Sequence, residues 1–182
     1  MADGDTQSRF MTAARVIVAD PPWPSPNTSP RWGIKQASHH QYKLMNMEDI
    51  KNYLMPPMDD YCVLFLWRLA SMQQQALEVC KSWGFRPYGE MVWRKKTSGG
   101  KDWFGMGLLI RSSHETCLVG VKKMPMPLNK NVRSVFDAPY TGRHSGKPDE
   151  FYNIVERLSP GPYVELFARK QRPGWTCIGD EL

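Results

Sequence analysis

Val16-Ile17-Val18-Ala19-Asp20-Pro21-Pro22-Trp23 is the stretch on which the fold turns. Its first four residues form a continuous apolar run, the pattern of a buried strand. A carboxylate, two prolines and a large aromatic follow at once. The tetrapeptide Asp20-Pro21-Pro22-Trp23 therefore stands where a strand ends, and such carboxyl ends are where open α/β sheets hold their ligands. The prolines remove two backbone donors and fix two φ angles. What remains is a rigid turn offering a carboxylate, free carbonyl oxygens and an aromatic face. That set suits a flat base bearing an exocyclic amine. Taken alone, the four residues read equally well as a structural Pro-Pro turn.

Outward from this stretch the chain alternates strand-like and helix-like blocks, which predicts an α/β layer fold. Apolar runs predict strands at 15–19, 62–67, 88–93, 116–121, 132–136, 163–168 and 176–178. Asn46 is placed to cap a short helix over 47–54. Ser71 and Gln74 have capping-box spacing ahead of a helix that turns Leu77, Cys80 and Trp83 inward and stops at Gly84. Pro148-Asp149-Glu150 opens a third helix, with Pro at its first position and acids in its first turn. Phe151, Ile154, Val155 and Leu158 make its apolar stripe. The proline-rich stretch from Asp20 to Met45 is too long for an ordinary loop, which marks it as functional or disordered.

The 182 residues suffice for one domain, expected over 15–182 behind a short leader at 1–14. The leader lacks the apolar segment of a signal peptide, and no run of about 18 apolar residues predicts a membrane span. A cytoplasmic protein without a targeting signal is the expectation. The net charge of +6 tilts modestly toward polyanionic partners. Cys62, Cys80, Cys117 and Cys177 are far apart, and the histidines lack ligand spacing. Neither a zinc site nor a disulfide framework is expected.

The chemistry that fits the tetrapeptide is alkylation of an aromatic amine. The N6 amine of adenine is a poor nucleophile, because its lone pair is delocalised into the ring. Acceptors in the plane of the amine let the nitrogen move toward tetrahedral. The Asp20 carboxylate and the Pro21 carbonyl are the expected acceptors, with Trp23 or a neighbouring aromatic stacking the base. Stacking of this kind contributes roughly 1–3 kcal/mol per base. A methyl donor would lie in line behind the nitrogen, about 3–3.5 Å away.

With these residues in view, the chain resembles the mRNA adenosine-N6 methyltransferase (MT-A) family, which is S-adenosylmethionine-dependent and has bacterial and phage relatives acting on DNA. The resemblance runs from about Val16 to Leu182. It is carried by Leu64-Phe65-Leu66-Trp67, Glu90-Met91-Val92-Trp93, Glu115-Thr116-Cys117-Leu118-Val119-Gly120, Lys147-Pro148-Asp149-Glu150, Glu156-Arg157-Leu158-Ser159-Pro160-Gly161, Glu165-Leu166-Phe167-Ala168-Arg169 and the ending Pro173-Gly174-Trp175 … Gly179-Asp180-Glu181-Leu182. It implies a Rossmann-like class I methyltransferase fold, mostly parallel, with helices on both faces and a permuted motif order that puts the catalytic motif first. It also implies S-adenosylmethionine as cofactor. Asp20 and Pro21 would face it, Phe167 and Arg169 would line its pocket, and Lys147 with Ser145 would meet its methionine end. Asp180 and Glu181 would take the ribose hydroxyls. Gln171 is a further cofactor contact by position, although Gln171-Arg172 replaces the family's His-Asn pair and Asp180 replaces an Asn. Tyr42 matches a family tyrosine that helps hold the base.

Two loops are candidates for nucleic acid. Arg94, Lys95, Lys96 and Lys101 surround Trp103 and Phe104, a pairing of cations with stacking faces. Trp32, Lys35, His39 and His40 lie in the loop after the tetrapeptide. On its own each reads as a solvated surface; in the context of the resemblance each reads as a polymer contact. DNA is the favoured substrate and RNA the alternative. A homodimer or a pairing with a related methyltransferase-fold subunit is expected from the resemblance, and a non-catalytic nucleic-acid-binding subunit is the competing reading.

Overall fold

The computed structural model describes residues 12–24, 44–105, 109–140, 142, 146–180 and 182. Among them seven strands build one sheet: β1 (Ala14–Ala19), β2 (Met58–Arg68), β3 (Arg86–Lys96), β4 (His114–Val121), β5 (Val135–Pro139), β6 (Tyr163–Leu166) and β7 (Trp175–Ile178). Their order is β5-β3-β4-β2-β1-β6-β7. β1 pairs in parallel with β2 and β6, β6 with β7, and β3 with β5. β4 runs antiparallel to both β2 and β3. The sheet is thus parallel throughout except for one reversed strand, as a Rossmann-like methyltransferase sheet requires.

The two-residue period of the strands sorts the core into layers. Ile17, Ala19, Leu64 and Leu66 pack on one face with Ile50 of α1 (Met47–Lys51) and with Ala76, Val79 and Cys80 of α2 (Gln73–Ser82). Val16, Val18, Val63, Phe65 and Trp67 face the other way, against Phe151, Tyr152 and Val155 of α3 (Asp149–Leu158). Helices therefore cover both faces. Phe151 meets Trp67 edge-on at 4.8 Å and Phe65 at 5.8 Å. Each such fully buried side chain contributes roughly 1.5–3 kcal/mol. All four cysteines are free and buried; burial pushes the Cys62 thiol up to about 12 and that of Cys80 to about 11.

Local details differ from expectation where packing outweighs propensity. Asn46 does cap α1, accepting from the Asp49 N–H at 2.8 Å. The helix ends at Lys51, however, and Leu54 is left 80% exposed. The Ser71–Gln74 capping box does not form. α2 is entered through a 3-10 turn, Ala70–Met72, that buries Met72, and α2 itself has no side-chain cap. Gly84, at φ +81°, lets the chain leave α2 as expected. Pro148 is the N-cap of α3 rather than its first helical residue, with Asp149 and Glu150 in the first turn. The fifth strand lies at 135–139, later than its apolar run, because Phe136 registers with Trp93.

Candidate active site

Strand direction gathers the chemistry on one edge. β1, β2, β3, β5 and β6 end there, and the reversed β4 begins there. β1 lies between β2 and β6, with Ala19 opposite Leu66 and Leu166, so Asp20 emerges at the centre of the edge. Two cavities open on either side of it. The larger, about 710 Å³, is lined by Asp20, Lys147, Tyr152, Glu165, Phe167 and Arg169 among others. The smaller, about 380 Å³, includes Asp20, Pro21, Trp67, Lys95, Glu115 and Lys147. Asp20, Trp67, Lys147 and Arg169 line both, which makes Asp20 part of the partition.

The tetrapeptide is rigid for more reasons than its prolines. The Trp23 N–H donates to the Pro21 carbonyl at 2.8 Å, closing a three-residue turn centred on Pro22. The Met45 N–H donates to the Pro22 carbonyl at 3.0 Å. Neither carbonyl is therefore wholly free, and Pro21 keeps one lone pair for a ligand. Trp23 is not a stacking platform. It is 5% exposed, belongs to the core on the α1–α2 face, and donates its indole N–H to the Trp67 carbonyl at 2.9 Å. Its function is to pin the turn to the end of β2.

A chain of alternating charges runs behind the turn. Lys147 Nζ lies 2.7 Å from Asp20 Oδ2 and 3.3 Å from Glu115 Oε2. Glu115 Oε1 lies 2.7 Å from Lys95 Nζ. Burial alone would push the Glu115 carboxyl up, but Lys147 and Lys95 outweigh it and hold the group below the usual range. Burial alone would lower Lys147, but Asp20 and Glu115 outweigh it and raise the ammonium above its ordinary value. Lys147 also sits 5.0 Å from the Trp67 ring centroid. Lys147 is thereby held cationic between Glu115 and Asp20, the carboxylate that faces both cavities.

The larger cavity has the features of a cofactor cradle. Phe167 adopts φ +59°, an outlier for an aromatic residue and of the kind that clusters at ligand sites. Tyr53 packs on it at 4.5 Å. Burial, and then the charge of Asp180, raise the Tyr53 hydroxyl. Gly179 is obligatory here, since a Cβ would collide with the Ala168 carbonyl and approach its nitrogen to 2.7 Å. Glu165 takes the Tyr152 hydroxyl on Oε1 at 2.6 Å, while its Oε2 is buried with no hydrogen-bond partner among the described residues.

The expected nucleic-acid contacts fare unevenly. Arg94 is held by a bidentate pair to Asp137 at 2.6 and 2.8 Å. Lys96 pairs with Asp102 at 2.5 Å and with Asp137 at 3.6 Å. Lys95, expected on a phosphate, is instead enclosed in the protein. Lys101 is exposed. Gln171 and Asp180 are both exposed and stand outside the lining of the larger cavity. Trp32, Lys35, His39, His40, Tyr42, Ser145 and Glu181 lie outside the described residues, as does most of the expected leader. Sequence reasoning missed Glu115, Tyr53 and the separate part taken by Glu165. The available signal for Glu115 and Glu165 was an acid standing at the edge of an apolar run.

The sequence model of the MT-A70 family matches residues 14–181. The chain belongs to the MT-A70 family. It is 30% identical over 178 residues to the Drosophila melanogaster N(6)-adenosine-methyltransferase MT-A70-like protein, covering 92% of this chain and 26% of that one. It is 29% identical to the human N(6)-adenosine-methyltransferase catalytic subunit METTL3, covering 92% and 28%. It is 28% identical over 186 residues to the human N(6)-adenine-specific methyltransferase METTL4, covering 92% and 37%. The chain thus spans about a quarter to a third of the length of these relatives. MT-A70 methyltransferases use S-adenosylmethionine. The larger cavity suits that molecule on chemical grounds: Lys147 matches a carboxylate, Phe167 an aromatic ring, and the orphaned Glu165 oxygen an ammonium donor.

Proposed function

We propose that this chain transfers a methyl group from S-adenosylmethionine to the N6 amine of adenine in a nucleic acid. The observation that carries the reading is the position of Asp20, on the partition between two cavities of unequal chemistry. S-adenosylmethionine supplies an electrophilic methyl group on a sulfonium. In the larger cavity Lys147 would pair the methionyl carboxylate, Asp20 and Glu165 would favour the cationic centre and the ammonium, and Phe167 would pack on the adenine ring. Asp180, outside that lining, would accept from the ribose. In the smaller cavity Asp20 and the remaining lone pair of Pro21 accept from the amine and hold its hydrogens in plane, so that the nitrogen lone pair turns toward the partition. Pro21, Pro22 and the buried Trp23 keep that edge fixed, which reduces reorganisation at the moment of transfer. A target held in a duplex must leave the stack, at about a few kcal/mol.

DNA is the polymer favoured here. RNA is the second reading, supported by the adenosine named in the Drosophila protein and in METTL3. Pairing with a second methyltransferase-fold chain, and a cytoplasmic location, belong to the same proposal. The test is to incubate the protein with labelled S-adenosylmethionine and single-stranded DNA, duplex DNA or RNA, then digest and identify the nucleoside. Label on N6-methyladenine is the expected result. Label on cytosine, or none while the cofactor still binds, overturns the reading.

A further inference from the structure

Lys95 belongs to the basic stretch expected to meet a polymer, yet it sits near the end of β3 with its side chain enclosed in the wall of the smaller cavity. Its side chain is 9% exposed and its ammonium lies 2.7 Å from Glu115 Oε1. Three rings surround that ammonium, Tyr140 at 4.4 Å, Trp103 at 4.9 Å and Trp93 at 5.2 Å from their centroids. The box is itself braced. Trp103 packs on Tyr140 at 4.4 Å, and Trp93 donates its indole N–H to the Ala138 carbonyl at 2.9 Å. A phosphate contact needs a solvated, movable lysine. Cation–π contacts and an ion pair in a desolvated site instead hold a lysine for an internal task.

That task can be read from the atoms of Glu115. Each of its oxygens takes a different lysine, Oε1 Lys95 and Oε2 Lys147. Lys147 in turn holds Asp20. The four groups sum to zero charge. Without Lys95 they would carry one net negative charge, with a single buried lysine left between two carboxylates. We propose that Lys95 is a positioning residue of this site: by securing Glu115 it fixes where Lys147 stands, and Lys147 fixes Asp20. The aromatic box of Trp93, Trp103 and Tyr140 is the device that keeps Lys95 in place.

Other ionisable groups face the chain from each packed element. Glu165 on β6 and Tyr152 on α3 are electrostatically coupled to Asp20. Cys117 of β4 is coupled to Lys147, Asp20 and Arg68. Arg68, at the end of β2, pairs with Glu90, and Arg169 lines both cavities. None of these groups forms a described ion pair with Glu115, so Lys95 and Lys147 are the charges that decide its titration.

The inference rests on the methyltransferase reading for its consequence but not for its test. The decisive measurement is a carbon-13 carboxyl NMR titration of Glu115 in the full chain, with Glu115→Gln assigning the signal. In Lys95→Met the Glu115 midpoint moves up toward the ordinary glutamate value, and Lys95→Arg restores it, since a guanidinium can both stack on the rings and pair with the carboxylate. In oligonucleotide binding measured against salt, Lys95→Met leaves the slope of log affinity unchanged, whereas loss of a phosphate contact lowers it by about 0.7–0.9. For an active wild type, kcat/KM falls about tenfold while KM for the oligonucleotide stays within about twofold, with the acid limb of the profile moved up. An unmoved Glu115 midpoint, or a salt slope reduced by one phosphate, overturns the proposal. If Lys95→Met does not fold, Tyr140→Leu, which opens one wall of the box, is titrated instead and an unmoved midpoint again overturns it. A wild type that binds S-adenosylmethionine but methylates nothing overturns the enzyme reading alone.

Discussion

Replacing Asp20 by Asn keeps the shape of the clamp and removes its charge, and the consequence can be worked through from the distances. At an effective dielectric of about 20, a unit pair at the 2.7 Å of Lys147–Asp20 attracts by about 6 kcal/mol, and one at the 3.3 Å of Lys147–Glu115 by about 5 kcal/mol. Desolvation of both partners offsets most of this, and Asn still accepts a hydrogen bond from the ammonium. Orphaning one partner of a buried pair costs about 3–5 kcal/mol, and here Glu115 remains, so about 2–3 kcal/mol is expected. For a domain of this size that is a fall of about 4–12 °C in Tm. Turnover should fall further than stability does, by a factor of about a hundred to a thousand, because the lost charge faces the reacting amine. The assay pairs a thermal melt at neutral pH with labelled methyl transfer at a temperature where both proteins are folded. Wild-type turnover in Asp20→Asn removes Asp20 from the mechanism. A melt within about 1 °C of wild type shows that the buried pair contributes nothing.

Further predictions follow from the neighbouring groups. Trp23→Phe loses the indole bond to the Trp67 carbonyl and leaves that acceptor buried, so stability should fall by about 1–3 kcal/mol in denaturant unfolding, while stacking of the substrate base, read by 2-aminopurine fluorescence in an oligonucleotide, is unchanged. Burial raises the Glu165 carboxyl above its ordinary value, an effect the Tyr152 hydroxyl opposes only in part; the folded state then binds the proton more tightly than the unfolded state, and stability grows as pH falls through the raised value. Glu165→Gln should therefore melt higher than wild type at pH 8, with the gap closing in acid. The Glu115 and Lys147 shifts set the pH window of the ion chain: the lowered Glu115 value makes its contribution full above the ordinary glutamate pKa and lost as pH falls through the lowered one, and the raised Lys147 value makes its contribution full below the ordinary lysine pKa and lost as pH rises through the raised one. Melting curves of wild type and Glu115→Gln should differ across neutral pH and converge in strong acid.

The strands and the place of Asp20 at the carboxyl edge of the sheet were legible because each is written locally. A short apolar run ending in Asp20-Pro21-Pro22 states both a buried strand and its terminus, and six of the seven predicted strands fall where such runs stand. The side-chain pairings were not legible, because they join residues far apart in the chain. Nothing near Lys95 says that Glu115 and Tyr140 will meet it, and a basic loop with aromatics reads the same whether its cations face solvent or one another. Trp23 misled for a related reason. An aromatic after a turn looks like a stacking face until its indole is seen to reach β2, 44 residues away. The missing capping box at Ser71 shows packing overriding a local signal, since burying Met72 sets the way into α2.

The reversed direction of β4 has a consequence for how this architecture can change. In a wholly parallel sheet each strand would meet the reactive edge only through its own crossover, and altering one would disturb a helix. Because β4 returns beside β3, the two strands are joined without a crossover, and Lys95, Ser112 and His114 where they are joined stand at the rim of the smaller cavity, a place open to insertion. β1, β6 and β7, which shape the cofactor side, are untouched by the length of that connection. The rim of the smaller cavity can therefore change in length and charge at one β3–β4 connection, while the larger cavity is left as it is.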